Sequence, residues 1–144
     1  MKRKMKLIVL LIVTATSGAI AASKGVQTET EERTSNPYHH ISIKGELNVQ
    51  LIQNETPGVV VEGSRHQVEN TITMLNNDTL FIFTTESRKS KNKTVVKVNV
   101  DEIVTLNVNG NTRVESIGVL DSNLFTIKSD GGAEIRIDVK PAKS

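Results

Sequence analysis

Histidine is the residue of this sequence with the widest chemical repertoire, and His39 and His40 stand next to each other. Imidazole is the commonest metal ligand in proteins. Adjacent residues of a strand point to opposite faces, however, so the two rings are not expected to chelate one ion. His66 has no acidic or histidine partner at ligand spacing, and the chain contains no Cys. We therefore predict no metal site and no cofactor.

The carboxylates give no recognisable catalytic pattern. Asp101, Glu102 and Asp121 accompany no known motif, since the chain lacks a nucleophile elbow, an H-E-x-x-H pair, a Walker loop and a G-x-G-x-x-G loop. Glu134 and Asp138 alternate with apolar residues, which is typical of the wet side of a strand. A glycosidase-type carboxylate pair is the remaining enzymatic alternative. We predict a protein that is not an enzyme.

One cluster of basic residues is a candidate binding element. It consists of Arg88, Lys89, Lys91 and Lys93, in a Ser- and Asn-rich stretch between two predicted strands. These charges could contact an anionic surface glycan, lipid head groups or another envelope component. The alternative is a soluble loop that protects the neighbouring apolar strands from aggregation. The sequence leaves both interpretations open.

The N-terminus has the order of a secretory signal peptide. Four cations within residues 1–6 precede an apolar run over residues 7–13 and a small-residue stretch that ends near Ala21 and Ala22. The apolar run is about half the ~20 residues that a membrane-spanning helix needs. We predict a signal peptide over residues 1–21, cleavage after Ala21 or Ala22, and no transmembrane anchor afterwards. The product would be extracytoplasmic: periplasmic, secreted or on the cell surface.

Removal of this segment changes the charge of the protein. The 144 residues contain 18 Lys and Arg against 16 Asp and Glu, and loss of four cations leaves 14 against 16, a net charge near −2. Aromatic residues make up 3% of the chain, so few rings are available to stack on bases. Both observations argue against a nucleic-acid partner.

The mature chain is predicted to form one all-β domain. Residues 22–36 are rich in Thr, Ser and Glu and are expected to be a flexible leader. Residues 37–140 show the period-two pattern of half-buried strands, and residues 141–144 form a tail. Ser64 to Ile72 is the one helical candidate, since Ser64 and Gln67 have the spacing of a capping box. The Asn76-Asn77-Asp78 stretch predicts a hairpin turn.

A weak internal repeat is visible between residues 108–114 and 127–135, about 20 residues apart and differing by a two-residue insertion. Residues 43–49 are a more distant copy. Short strands with Gly, Asn and Asp corners at this period are typical of a β-solenoid. The expected fold class is all-β, either a short β-solenoid-like or a two-layer β architecture with one short helical turn. Its last strand, around Ile135 to Val139, could pair with another subunit or be covered by the tail.

The order of these pieces resembles a known family. The segments YHHISIKGELNVQLIQN, GVVVEGSRHQVENTITMLNNDTLFIF, KTVVKVNVDEIVTLNVNGNTRVESIG and LFTIKSDGGAEIRIDV are similar to the GIN-type auto-transporter adhesin head domain, a domain of unknown function common in exported proteins of Bacteroidetes. The resemblance covers about residues 38–139. It implies an all-β, solenoid-like domain with an adhesin role proposed by name and no established activity.

Two functions follow as expectations. The first is an exported, non-enzymatic β-domain protein that acts by surface contact, as an adhesin-like or cell-envelope module of unknown ligand. The alternative is a periplasmic carbohydrate-binding or envelope-maintenance protein. A flat sheet face would favour the first function, whereas a concave groove lined by aligned carboxylates or aromatic rings would favour the second.

Overall fold

Strands make up most of the chain in the computed structural model, which describes residues 10–11, 28–85, 93–121 and 126–140. The elements in chain order are β1 (Leu10–Leu11), β2 (Glu29–Thr34), β3 (His40–Lys44), β4 (Leu47–Gln53), β5 (Gly58–Gly63), α1 (Arg65–Glu69), β6 (Thr71–Asn76), β7 (Thr79–Thr84), β8 (Thr94–Val100), β9 (Thr105–Asn109), β10 (Arg113–Asp121), β11 (Thr126–Asp130) and β12 (Glu134–Lys140). The predicted all-β class with one short helix is confirmed.

The strands form two mixed sheets that share one core. The seven-stranded sheet has the order β1-β2-β5-β8-β4-β10-β12, and the five-stranded sheet has the order β11-β9-β3-β7-β6. The alternating apolar residues of both sheets join a single buried cluster. Ile43 from one sheet and Leu51 and Val98 from the other are fully buried within it. The period-two pattern therefore marks the inner face of each sheet.

Consecutive strands pass from the five-stranded sheet to the seven-stranded sheet, and we call each such pair of strands a rung. Four rungs lie side by side in the order β7–β8, β3–β4, β9–β10 and β11–β12, and all neighbouring rungs pair in parallel. In each rung, the apolar side chains of each strand pack against those of the opposite sheet. Within the described part of the chain, the last rung, β11–β12, is the terminal rung of both sheets.

The register confirms the offset of about 20 residues but corrects its alignment. Glu134 pairs with Arg113, as expected from the repeat. In the other sheet Ile127 pairs with Leu106 and Ser129 with Val108, so residue 127 does not lie over residue 108 and no two-residue insertion is needed. The pattern alone suggests the wrong alignment because Ser129 occupies a position that is aliphatic in the preceding rung.

The flexible leader predicted for residues 22–36 is wrong over residues 29–34. These residues form β2, which pairs antiparallel with β5 along its whole length. Arg33 links β2 to the rest of the fold, since its guanidinium donates to the carbonyl oxygens of Thr71 at 2.7 Å and Val68 at 3.1 Å. The same guanidinium forms an ion pair with Glu31. Main-chain pairing at a sheet edge needs few apolar side chains, so composition alone missed this strand.

The turn chemistry and the capping box were predicted correctly. Asn77 has a positive φ of 58° in the β6–β7 hairpin. The Gln67 amide donates to Ser64 Oγ at 3.2 Å, and the Ser64 amide donates to Gln67 Oε1 at 2.9 Å. The helix ends at Glu69, however, and Ile72 lies exposed in β6. Five residues suffice here because Val68 is anchored in the core.

Most of the predicted signal peptide and the Ala21 and Ala22 cleavage positions lie outside the described residues, as does the tail at 141–144. Within the predicted signal, Leu10–Leu11 pairs with Glu31 and Glu32 at the outer edge of β2. Among the described residues, no helix has the length and apolar character required to cross a membrane.

Candidate functional site

An open cleft of about 550 Å³ lies on the outer face of the seven-stranded sheet, where four parallel strands begin. Its walls come from the start of each strand and from the corners that lead into β10 and β12. The lining residues are Asn48, Lys93, Val95, Asn111, Thr112, Arg113, Gly132 and Glu134. The cleft is thus a product of rung stacking and draws on residues far apart in sequence.

Strand register explains why these side chains meet. Val95 pairs with Asn48, Asn48 with Arg113, and Arg113 with Glu134, so the four residues form one row across β8, β4, β10 and β12. Their successors in each strand are apolar and face the core, as with Val49 and Val114. Because successive side chains of a strand point to opposite faces, the row lies on the outer face of the sheet. In-register parallel pairing keeps its members about 4.8 Å apart from strand to strand.

The corners beside the row are tightly stacked. Gly110 and Gly131 have φ values of 94° and 78°, a region that side chains rarely adopt. A Cβ on Gly131 would lie 2.9 Å from the Gly110 nitrogen, so the two corners touch through their backbones. The buried Thr112 hydroxyl donates to the Gly45 carbonyl oxygen, which joins the β3–β4 and β9–β10 corners. The corners beside the cleft are therefore held together by close backbone contacts and by the Thr112 hydrogen bond.

The charged groups of the cleft are accessible and only loosely paired. Lys93 Nζ donates to the Asn111 carbonyl oxygen at 3.0 Å. Arg113 Nε lies 3.9 Å from Glu134 Oε1, and both side chains are about half exposed. Such a pair is screened by water and is weak. A ligand anion could therefore engage the Arg113 guanidinium with little cost from breaking the internal ion pair.

This arrangement is suited to binding an anionic, hydroxyl-rich ligand. Lys93 and Arg113 supply cations that match carboxylate or sulfate groups, and a guanidinium can bind both oxygens of one anion. The amides of Asn48 and Asn111 both donate and accept hydrogen bonds, whereas the buried Thr112 hydroxyl is already bonded to Gly45. Val95 is the one aliphatic side chain among the lining residues. The cleft is therefore polar and has little surface for a hydrocarbon chain.

The sequence prediction identified one residue of this site. Lys93 of the basic cluster lines the cleft, whereas Arg88, Lys89 and Lys91 lie outside the described residues. Arg113 was missed, although a signal existed. Asn48 and Arg113 occupy equivalent places in two copies of the repeat, three residues after Gly45 and Gly110, and aligning these corner glycines would have placed the two side chains together.

The histidines occupy a different region, at the start of β3. His39 Nδ1 lies 2.9 Å from Asp78 Oδ1, and His40 Nε2 lies 3.9 Å from Asp78 Oδ2. Both rings lie near the same carboxylate because His39 precedes the strand and does not follow its alternation. His40 Nδ1 also bonds Thr105 Oγ1 at 2.7 Å. Within the described ranges, no group of three or more His, Cys, Asp or Glu residues could hold a metal ion.

Residues 37–143 match a family model described as "Putative auto-transporter adhesin, head GIN domain". Comparison with the curated proteins gave no significant match.

Three solved structures with the same fold come from Bacteroidetes. A "putative adhesin" from Bacteroides fragilis has a TM-score of 0.72 and 17% identity, over 80% of this chain and 55% of the other. A "putative adhesin" from Parabacteroides merdae has a TM-score of 0.61 and 17% identity, over 72% and 44%. A "putative lipid binding protein" from Parabacteroides distasonis has a TM-score of 0.65 and 22% identity, over 79% and 51%. At these identities the likeness shows the fold alone, and this chain spans about half the length of each relative.

Proposed function

The chain belongs to the auto-transporter adhesin head GIN domain family, and from this premise we propose that it is an exported, non-enzymatic protein that makes contacts at the cell envelope. The signal-like order of residues 1–22 supports export. The parallel rungs support the solenoid-like form of the fold, in which one sheet face carries the contact surface. The ligand class follows from the cleft.

The proposed ligand is an acidic polysaccharide of the envelope or of a neighbouring surface. The observation that carries this proposal is that Lys93 and Arg113 line the same open cleft as Asn48 and Asn111. Acidic sugars present carboxylate or sulfate groups next to hydroxyls, which is the pattern that these side chains complement. An open cleft also suits one stretch of a long polymer.

The composition of the cleft argues against glycan hydrolysis. Glycosidases use two carboxyl groups about 5 to 9.5 Å apart. Glu134 is the one acidic residue among those that line this cleft, and its nearest charged neighbour there is Arg113. A second carboxyl group at that distance is not found among the residues that line the cleft. Binding without cleavage is the function that this site supports.

The periplasmic alternative uses the same chemistry in another compartment. A carbohydrate-binding or envelope-maintenance protein would also employ a polar cleft, and an open cleft favours that class more than a flat face would. The row nevertheless lacks the aligned carboxylates or aromatic rings expected of a dedicated sugar groove among its lining residues. Location of the mature protein separates the two functions.

The cleft is tested by removing its cations. Binding to alginate, a carboxylated polysaccharide, and to heparin, a sulfated one, is measured at several salt concentrations for the parent chain and for Lys93→Gln/Arg113→Gln. Loss of one hydrogen bond to a charged group costs roughly 1.5 kcal/mol, so we expect at least about a tenfold weaker Kd and a smaller salt dependence. Lys44→Gln/Lys128→Gln removes the same charge from exposed positions of the other sheet and should bind like the parent.

The same variants distinguish the other candidates. Equal weakening by both double variants would mean that net charge alone drives binding, and the cleft would be rejected. Parent binding to phosphatidylglycerol vesicles with none to either polysaccharide would reject the glycan in favour of a lipid surface. If Arg88→Gln/Lys89→Gln/Lys91→Gln abolishes binding while the cleft variant does not, the basic cluster is the site and the cleft proposal fails.

A further inference from the structure

Among the residues that the structure describes, the last rung forms the edge of both sheets. β12 is the terminal strand of the seven-stranded sheet and β11 that of the five-stranded sheet. Every residue of β11 is exposed, and Ile127 and Val139 are 42% and 39% exposed although they continue apolar rows of the core. An edge with unpaired main-chain groups and apolar ends is a template for another strand. The occupant can be inferred from the residues of β12 itself.

β12 is complementary to its own antiparallel copy. Its sequence is Glu134-Ile135-Arg136-Ile137-Asp138-Val139-Lys140. When two copies run antiparallel and cross at Ile137, opposite charges face each other on the outer side and aliphatic residues face each other on the inner side. The facing residues are Glu134 with Lys140, Ile135 with Val139, Arg136 with Asp138, and Ile137 with itself. Each such cross-strand pair is favourable in an antiparallel sheet.

Other registers of the same pairing are unfavourable. A crossing at Arg136 would place that guanidinium opposite its own copy and Glu134 opposite Asp138, which are both like-charge pairs. A crossing at Asp138 would place that carboxylate opposite its copy and Arg136 opposite Lys140. A shift by one residue would put charged side chains on the apolar face. The strand thus selects one register by repulsion as well as by attraction.

The charges of β12 are free to take partners on another molecule. Arg136 Nη2 lies 3.6 Å from Glu134 Oε2, and Lys140 Nζ lies 3.6 Å from Asp121 Oδ1. All four side chains are about half exposed or more. Ion pairs of this kind are weak in water. Exchange for cross-strand partners would therefore cost little, and main-chain hydrogen bonds along the edge would be gained.

We propose that the occupant of this edge is a second copy of the same chain, paired through β12 about a two-fold axis at Ile137. The two seven-stranded sheets would then join into one continuous sheet. An interface of this kind is isologous and closes at two copies. It is built from one strand edge of each copy, so we expect the dimer to form in a concentration-dependent way.

Exchanging the charges of Arg136 and Asp138 tests the pairing without disturbing the core. Sedimentation of the full chain is measured over a concentration series. Arg136→Asp and Asp138→Arg each create two like-charge pairs across the axis and should weaken the dimer about tenfold. The double variant Arg136→Asp/Asp138→Arg should restore it. Arg65→Asp, at an exposed helix position, should leave the dimer unchanged.

Several outcomes would overturn the proposal. A chain that stays monomeric at all concentrations would show that the edge takes no second copy. Assemblies that grow beyond two copies would indicate head-to-tail stacking. A double variant that remains as weak as the single variants would show that Arg136 and Asp138 do not face each other.

A cysteine at the axis tests the register directly, since the chain has no Cys of its own. In Ile137→Cys the two introduced thiols would be directly opposed, with Cα atoms about 4.5 to 5.5 Å apart, which a disulfide can span. In Val139→Cys the two thiols would be four residues out of register, roughly 14 Å apart. Oxidation should cross-link the first variant and not the second. Equal cross-linking of both would refute the register.

Discussion

The single tyrosine of the chain gives a quantitative test of how the core is closed. Tyr38 is 4% exposed, and its hydroxyl donates to the Asn99 carbonyl oxygen at 2.5 Å and accepts from the Gly58 amide at 3.2 Å. Burial raises the pKa of Tyr38 from 10.0 to about 12, and the hydrogen bond with Gly58 opposes this shift. The folded protein therefore favours the neutral phenol.

The sign and size of the effect follow from linkage. The folded-state pKa is raised, so the stabilisation from this group is complete below pH 10 and is lost as the pH rises towards 12. Two pKa units correspond to about 3 kcal/mol. The free energy of unfolding of the parent should fall by that amount more than that of Tyr38→Phe across this range. The lysines titrate in both proteins, so their contribution cancels in the difference.

The assay is unusually clean because the chain has one Tyr and no Trp. Tyrosinate absorbance then reports Tyr38 alone, and urea unfolding at each pH gives the free energy. At neutral pH, Tyr38→Phe should itself cost about 1 to 3 kcal/mol, since Asn99 and Gly58 lose a buried partner. Titration near pH 10 in a chain that retains its folded circular dichroism would refute the described burial.

Two further predictions concern how the rungs and β2 are held. Gly131→Ala should lower the free energy of unfolding in urea by about 2 to 3 kcal/mol, because its Cβ would meet the Gly110 backbone and because an alanine is strained at positive φ. The control Gly118→Ala has the same strain but open space around it, and should cost about 1 kcal/mol. Equal losses for the two variants would contradict the stacked corners. Arg33→Ala should cost about 2 to 3 kcal/mol because it frees β2 from Val68 and Thr71. The control Arg65→Ala should change stability by less than about 0.5 kcal/mol, and a similar small loss for Arg33→Ala would argue against a docked β2.

Local patterns in the sequence predicted much of the fold. Alternation identified the inner faces of β3, β4, β8 and β9, and turn chemistry identified the β6–β7 hairpin. These features depend on neighbouring residues, so they can be read without knowing the topology. β2 could not be predicted in this way. It forms a strand because it pairs with the edge of β5 and because Arg33 bonds to Val68 and Thr71, which lie more than thirty positions away in the sequence.

The candidate site was harder to predict because it is defined by register. Lys93 was identified by its charge, but Asn48 and Arg113 carry no motif. Their proximity follows from the spatial order of the rungs, in which β4 lies between β8 and β10 although β8 is later in the chain. This order is set by long-range pairing. The repeat hinted at the neighbourhood of β4 and β10 but could not show that β8 adjoins β4.

The central claim, contact at the cell surface, is tested most directly by the location of the mature protein. Intact cells of the native host are treated with an external protease, and the chain is followed with an antibody beside a periplasmic marker protein. We expect the chain to be degraded while the marker stays intact. Protection of both proteins until the outer membrane is opened would contradict surface contact and would leave the periplasmic function in its place.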